Sequence, residues 1–342
     1  MSLRFSSDKE IDNFLDPYII VEVNSSHFGS TELAKEMITT IKNSGANCVK
    51  FQSWSENSLY SSTYYEANPI AKRFVSKFSL SEGEIIELSD FSQEQGLDFA
   101  STPYSMDEAV FLVEKCGVPF IKIASMELNN LDFLEELSKL NVPLVLSTGM
   151  GELSEIQSAV SLILKQHTQL AILHCNSIYP TPFEDVNLSN IKMLQDEFVG
   201  YPIGFSDHTL GIEASIAASA IGAAIIEKHF TLDKSRVGMD NQMAIEVDDL
   251  NALVSSVRNV NSALGVYNRV LTQGEINQRK NMRRSIVTKR AICSGETISR
   301  EDIVFKRPGS GIAIEELANV IGKTVLRDLQ ADVVIQPSDM SQ

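Results

Sequence analysis

Two histidines each close a short apolar run. One lies in Gly204-Phe205-Ser206-Asp207-His208-Thr209, after Tyr201 to Phe205. The other lies in Ile226-Glu227-Lys228-His229-Phe230-Thr231, after Ala223 to Ile226. A side chain at the carboxyl end of a parallel strand sits on the face where a barrel or an open α/β sheet carries its chemistry. If the two runs are adjacent strands, both imidazoles project from that face and make a two-histidine metal site with open positions. Taken singly, either is equally a buried, hydrogen-bonded strand-end histidine. Two of the chain's five histidines at matching ends of successive runs, each beside charged and hydroxyl groups, favour the metal site.

Strands must hold those ends in place, and the chain supplies them. Apolar runs of strand length fall at Tyr18 to Val23, Cys48 to Phe51, Leu97 to Ala100, Phe120 to Ala124, Pro143 to Leu146, Leu170 to His174, Tyr201 to Phe205 and Ala223 to Lys228. Amphipathic runs of helix length alternate with them, including Thr31 to Asn43, Glu82 to Glu94, Asp107 to Lys115, Leu131 to Leu140, Ser154 to Lys165, Leu188 to Glu197, Gly211 to Ala220 and Val247 to Ala263. Ser81 with Glu84 and Ser105 with Glu108 have capping-box spacing, and Gly96 and Gly117 stand where a helix would end. Eight strand-helix units predict a (β/α)8 TIM barrel over residues 1–265. An open doubly wound sheet is the alternative, but no glycine-rich dinucleotide fingerprint follows the first strand. Residues 266–282 are polar and mixed in charge and read as a linker with a helical turn near Glu275. Residues 283–342 read as a small β-rich domain, with runs at Ser285 to Thr288, Thr297 to Ser299 and Val333 to Ile335.

Composition narrows the class. The chain has 342 residues, 43% of them hydrophobic, enough for a sizeable core. No stretch approaches the roughly 18 to 20 apolar residues that cross a bilayer, and the amino terminus shows no signal region, so a cytoplasmic protein is expected. Cys48, Cys116, Cys175 and Cys293 lie far apart and read as reduced thiols. A net charge of -16 argues against nucleic acid and anionic membranes as partners. An anionic substrate would need a local cationic pocket, for which Lys50, Lys122 and Lys228 fall at predicted strand ends.

The order of motifs resembles the sialic acid synthase (N-acetylneuraminate synthase) family with its carboxyl-terminal antifreeze-like (SAF) domain. The resemblance rests on Ser206-Asp207-His208-Thr209 and Glu227-Lys228-His229-Phe230-Thr231, with Glu22 and His27, Lys50-Phe51-Gln52, Ser101-Thr102-Pro103, Lys122 through Glu127, Leu146 through Met150, His174-Cys175 through Tyr179-Pro180, Asp240, and Arg307-Pro308-Gly309. It implies condensation of phosphoenolpyruvate with the aldehyde of an N-acylated hexosamine, N-acetylmannosamine or a relative, giving a nine-carbon 2-keto acid and phosphate. It implies that His208 and His229 hold a divalent ion acting as Lewis acid. With the other ligands drawn from water and substrate, Mn2+ or Mg2+ is expected ahead of zinc, which prefers closed four-ligand sites. Lys122, Ser125, Thr102 and Ser206 match the family's phosphate-binding positions, Lys50 and Gln52 its sugar-binding pair, and Tyr179 its substrate-contacting tyrosine. Ser177 is counted with the substrate-binding residues, and Arg307 matches an arginine inserted over a neighbouring barrel in a domain-swapped homodimer.

Glu22, Glu127 and Asp240 remain as carboxylates for sugar contacts, metal-bound water or proton transfer, or else as exposed loop carboxylates. The chain departs from the family pattern at Asn24 and Ser26, where glycine and asparagine are usual, at Asn176-Ser177, and at Asn241, where histidine is common. These departures leave open a non-catalytic sugar-binding barrel. A strand-end lysine such as Lys122 also leaves open a Schiff-base class I aldolase.

Overall fold

The computed structural model describes residues 3–5 and 9–341. The chain divides into two units, residues 1–265 and 266–342.

The first unit is a closed barrel of parallel strands: β3 (Tyr18–Glu22), β4 (Cys48–Ser53), β5 (Asp98–Pro103), β6 (Ile121–Ile123), β7 (Leu144–Ser147), β8 (Leu170–Cys175), β9 (Ile203–Asp207) and β10 (Ile225–His229), which pairs back onto β3. Before it, β1 (Leu3–Arg4) and β2 (Glu10–Ile11) pair antiparallel as a two-stranded sheet that the sequence pattern did not announce. Barrel strands are covered by helices outside and filled by side chains inside. They therefore read as continuous apolar runs, with alternate residues assigned to the two sides. Ile19, Val21, Val49, Phe51, Phe99, Ile121, Ile123, Leu144 and Leu146 belong to the core shared with the helices. Tyr18, Ile20, Cys48, Ala100, Phe120, Val145, Ala171, Leu173 and Ile225, together with Leu3 and Ile11, form a separate core of the opposite parity. Phe5 lies edge-on to Tyr18 at 4.9 Å and against Phe120 at 4.3 Å, and the Tyr18 hydroxyl donates to Asp98.

The same parity carries the chemistry. Continuing the series beyond this apolar floor brings Glu22, Lys50, Thr102, Lys122, Ser147, Cys175, Ser206, Glu227 and His229 to the carboxyl end. His229 is in register with Glu22, Glu22 with Lys50, and Glu227 with Ser206. Lys228 and Asp207, one residue off that parity, pair with each other at 3.0 Å. Lys228 is therefore not a cation of the central pocket, contrary to expectation.

The capping box of Ser81 and Glu84 forms, whereas Glu108 accepts from the Tyr104 amide and Ser58 while Ser105 alone caps its helix. After β4 the chain makes three short helices, Glu56–Leu59, Ser62–Ala67 and Pro69–Phe78, none of them expected. Trp54, Tyr65 and Val75 form a small core among them.

In the second unit β11 (Ser285–Thr288) pairs antiparallel with β12 (Ile303–Lys306) over a core that includes Ile286, Ile292, Ile298 and Val325. The expected runs at 297–299 and 333–335 contribute single bridges, Thr297 to Thr324 and Val334 to Val287. The stretch read as a linker holds a full helix, Gln273–Met282, closed by a Thr272–Glu275 capping box.

His27, in the turn after β3, is buried and accepts the Gly29 N–H at 3.1 Å, and burial pushes its pKa from 6.5 down to about 4. The unfolded chain therefore binds a proton that the folded chain refuses between those values. The stabilisation is complete above pH 6.5 and is lost as pH falls toward 4. Urea melts of the wild type are expected to lose ~2 kcal/mol from this group between pH 7 and 5. His27→Gln should flatten that slope; an unchanged slope would contradict the assignment.

Candidate active site

A cavity of about 340 Å³ opens at the carboxyl ends of the strands. Glu22, Lys50, Gln52, Thr102, Lys122, Ser125, Ser177, Tyr179, Ser206, His208, His229 and Asp240 all line it. Glu127 does not: it is half-buried, and its carboxylate accepts from the Asn130 amide at 2.7 Å beside the next helix. Arg307 follows β12 in the second unit and is exposed.

The centre of the cavity is a buried set of two lysines and two carboxylates. Lys50 pairs with Glu22, lies 3.7 Å from Glu227 and donates to Thr102 Oγ1 at 3.2 Å. Burial pulls the Lys50 ammonium down, but Glu22 and Glu227 more than offset this and raise it. Lys122 donates to Ser147 Oγ at 2.5 Å and to the Ile123 carbonyl at 3.0 Å; burial pulls it below its ordinary value against the pull of Glu227. Glu227 accepts from Ser206 at 2.7 Å, and although burial pushes it upward, Lys122 and Lys50 hold it ionised. Burial and then Glu227 raise Glu22, against Lys50.

Ser125, Ser147 and Ser177 line the cavity together with Lys122, and Gly149 packs against two of these serines. The Gly149 N–H donates to Ser125 Oγ at 3.0 Å, and a Cβ there would lie 2.3 Å from Ser177 Oγ. Glycine is needed for this close approach. The result is a donor-rich cradle suited to phosphate.

The rings of His208 and His229 lie 5.3 Å apart, with the Tyr179 ring 4.2 Å from His208. His208 Nδ1 is 2.7 Å from the Asn176 carbonyl, an arrangement that fixes Nδ1 as donor and leaves Nε2 as the ligating nitrogen. Burial, followed by the charge of His208, lowers His229 well below its usual value and keeps it neutral, as ligation requires. Two imidazoles sharing one ion through bonds of roughly 2.1 Å keep their rings about 5 Å apart, so the pair fits a divalent ion. Among the described residues no group of three or more His, Cys, Asp or Glu side chains gathers at one point. An ion here would draw its other ligands from water and substrate. Behind the pair, Lys228 donates to the Thr209 carbonyl at 2.7 Å, and Asp207 accepts from the Thr209 amide at 2.8 Å and from Ser215 at 2.5 Å. This locks the His208 turn to the strand that carries His229.

Toward the mouth, Asn24 donates to Asp240, Tyr104 donates to Gln52 at 2.9 Å, and Trp54, Tyr60 and Met239 complete the wall. Burial raises Asp240, against His208 and Asn24. The residues not anticipated include Glu227, Ser147, Cys175, Trp54 and Tyr104, whereas Asn24, marked in the sequence as a departure from the family pattern, does line the cavity. Glu227, Ser147 and Cys175 share the inward parity of residues that were anticipated, which is the signal that marks them. Asn241 is buried outside the cavity and ties its loop through bonds to the carbonyls of Asp233 and Arg236, each 2.8 Å.

Fold and site together define a barrel with a donor-rich cradle and a pair of histidines at one mouth. The chain belongs to the NeuB family, whose model matches residues 37–269, and it carries a SAF domain at residues 283–340. It is 35% identical over 332 residues to N,N'-diacetyllegionaminic acid synthase of Legionella pneumophila, with 93% of each chain covered. It is 30% identical over 349 residues to pseudaminic acid synthase of Campylobacter jejuni, with 98% of each covered. Its structure matches the N-acetylneuraminic acid synthetase of Leptospira borgpetersenii at TM-score 0.75 and 31% identity, over 81% of this chain and 95% of that one.

Removing one charge from the buried set should be costly. Glu227→Gln is expected to lower stability in urea melts by about 3 kcal/mol or more, because two buried ammonium groups would share one carboxylate. Adding Lys122→Met should recover part of the loss. A Glu227→Gln protein as stable as the wild type would show that the set is not charge-balanced.

Proposed function

We propose that the protein is a nonulosonic acid synthase, condensing phosphoenolpyruvate with the open-chain aldehyde of an N-acylated hexosamine to give a nine-carbon 2-keto acid and phosphate. The observation that carries this reading is that Lys122, Ser125, Ser147 and Ser177 line one cavity together with the His208–His229 pair. In this reading the phosphate of the enol phosphate sits on Lys122 with Ser125, Thr102 and Ser206, joined by Ser147 and Ser177, and Lys50 with Gln52 serves the sugar. C3 of the enol bonds to the aldehyde carbon, water adds at C2, and phosphate leaves C2. Charge-assisted bonds of this kind contribute roughly 1.5–3 kcal/mol each. Glu22, raised by burial, is suited to proton transfer, and Glu227, held ionised between the lysines, to stabilising positive charge that develops at C2.

His208 and His229 would hold Mn2+ or Mg2+, which supplies Lewis-acid polarisation of the aldehyde oxygen. Gln52, Tyr179 and Asp240 are assigned to the sugar. A homodimer with Arg307 serving a neighbouring subunit belongs to the same proposal, as does a cytoplasmic location. Supporting the location are four free thiols, and among the described residues no helix long and apolar enough to cross a membrane.

Incubation with phosphoenolpyruvate, Mn2+ and a panel of N-acylated hexosamines should release phosphate. Chelation should abolish the release and Mn2+ restore it. His208→Ala retaining full activity in excess chelator would contradict the metal assignment.

The lowered pKa of Lys122 also suits an imine-forming amine. Its bonds to Ser147 and the Ile123 carbonyl and its place in the cradle favour anion binding instead. Borohydride added during turnover should leave Lys122 unmodified, whereas a trapped adduct would establish the aldolase reading.

A further inference from the structure

We infer that Asn24 is a specificity-determining contact to the acceptor sugar, its side-chain oxygen receiving a hydrogen-bond donor from that sugar; the inference rests on the synthase reading. Asn24 sits two residues past Glu22 with φ 46°, a left-handed conformation in which glycine is the ordinary occupant and asparagine one of few alternatives. Its own N–H donates to Glu22 Oε1 at 2.6 Å, so the bend serves the Glu22 carboxylate. Glycine would serve it equally well. What asparagine adds is a side chain at the cavity wall.

That side chain is only half satisfied. It is 3% exposed and its Nδ2 donates to Asp240, which orients the amide, while Oδ1 has no partner. A buried carbonyl oxygen without a donor is costly, and native structures rarely keep one without a protein, water or ligand donor to complete it. The surrounding groups indicate which ligand would. Glu22 and Asp240 line the same cavity with carboxyl oxygens, and Gln52 Oε1 already receives the Tyr104 hydroxyl. This part of the wall therefore offers acceptors and repels anions, in contrast to the cradle around Lys122. It suits the hydroxyl or acylamino N–H groups of a neutral sugar and disfavours a phosphate or carboxylate at the group that meets Asn24.

The test is two-substrate kinetics of wild type and Asn24→Gly with N-acetylmannosamine, a 2,4-diacylamino hexose and mannose as acceptors. Glycine adopts the same φ without strain, and the phosphoenolpyruvate KM reports whether the cavity is intact. The expected result is an acceptor KM raised about three- to tenfold, with the phosphoenolpyruvate KM unchanged. A penalty confined to the acylamino sugars identifies the donor as the N–H, and one shared by mannose identifies a hydroxyl. An unchanged acceptor KM, or a phosphoenolpyruvate KM that rises in step, overturns the inference. Absence of turnover by the wild type with every acceptor overturns the synthase reading and this inference with it.

Discussion

Two ammonium groups and two carboxylates buried at the mouth of a barrel are tolerable only as a balanced set, and that requirement organises the site. Glu22, Lys50, Lys122 and Glu227 are each at most 4% exposed. Taking such charges out of water costs several kcal/mol per ion unless each has partners. The partners come from strands around the barrel: Glu22 beside Lys50, Glu227 3.7 Å from Lys50 with its charge also felt by Lys122, and Thr102, Ser147 and Ser206 satisfying what remains. Only a closed sheet brings β3, β4, β6 and β10 together around one axis. A chain of net charge -16 can still present a local cation inside, since the field in the cavity is set by Lys122 and the groups around it rather than by the distant surface.

The outward parity repeats the device for a different purpose. Asp207 and Lys228 alternate with Ser206, His208, Glu227 and His229, and pair on the other side of the sheet. A pair there contributes nothing to substrate binding directly, but it ties the ends of β9 and β10 together and sets the separation of the two imidazoles.

Much of this was legible in the sequence because barrel strands, buried on both sides, stand out as apolar runs between amphipathic helices. The ends of those runs marked most of the cavity, from Glu22 to His229. The misassignment of Lys228 came from reading position at a strand end without parity: His229 points inward, so Lys228 cannot. The same rule would have added Glu227 and Ser147. Other features left weaker traces. β1 and β2 are two residues each, and the first two helices after β4, Glu56–Leu59 and Ser62–Ala67, are too short to show a period, while Pro69–Phe78 is long enough and was overlooked; Trp54 and Tyr60 from this stretch reach the mouth. Glu127 shares a motif with Lys122, but the 3-10 turn at Ser125–Glu127 directs it to Asn130. In the second unit isolated bridges carry much of the pairing, and residues far apart in sequence make them.

The central claim is that this cavity holds phosphoenolpyruvate for attack by its C3 and departure of phosphate from C2. The most direct measurement follows 18O placed in the bridging C2–O–P position through turnover with an acceptor, with the released phosphate read by 31P NMR. Cleavage of the C2–O bond predicts that the label leaves with phosphate. Phosphate without the label, its oxygen retained in the organic product, would contradict the account.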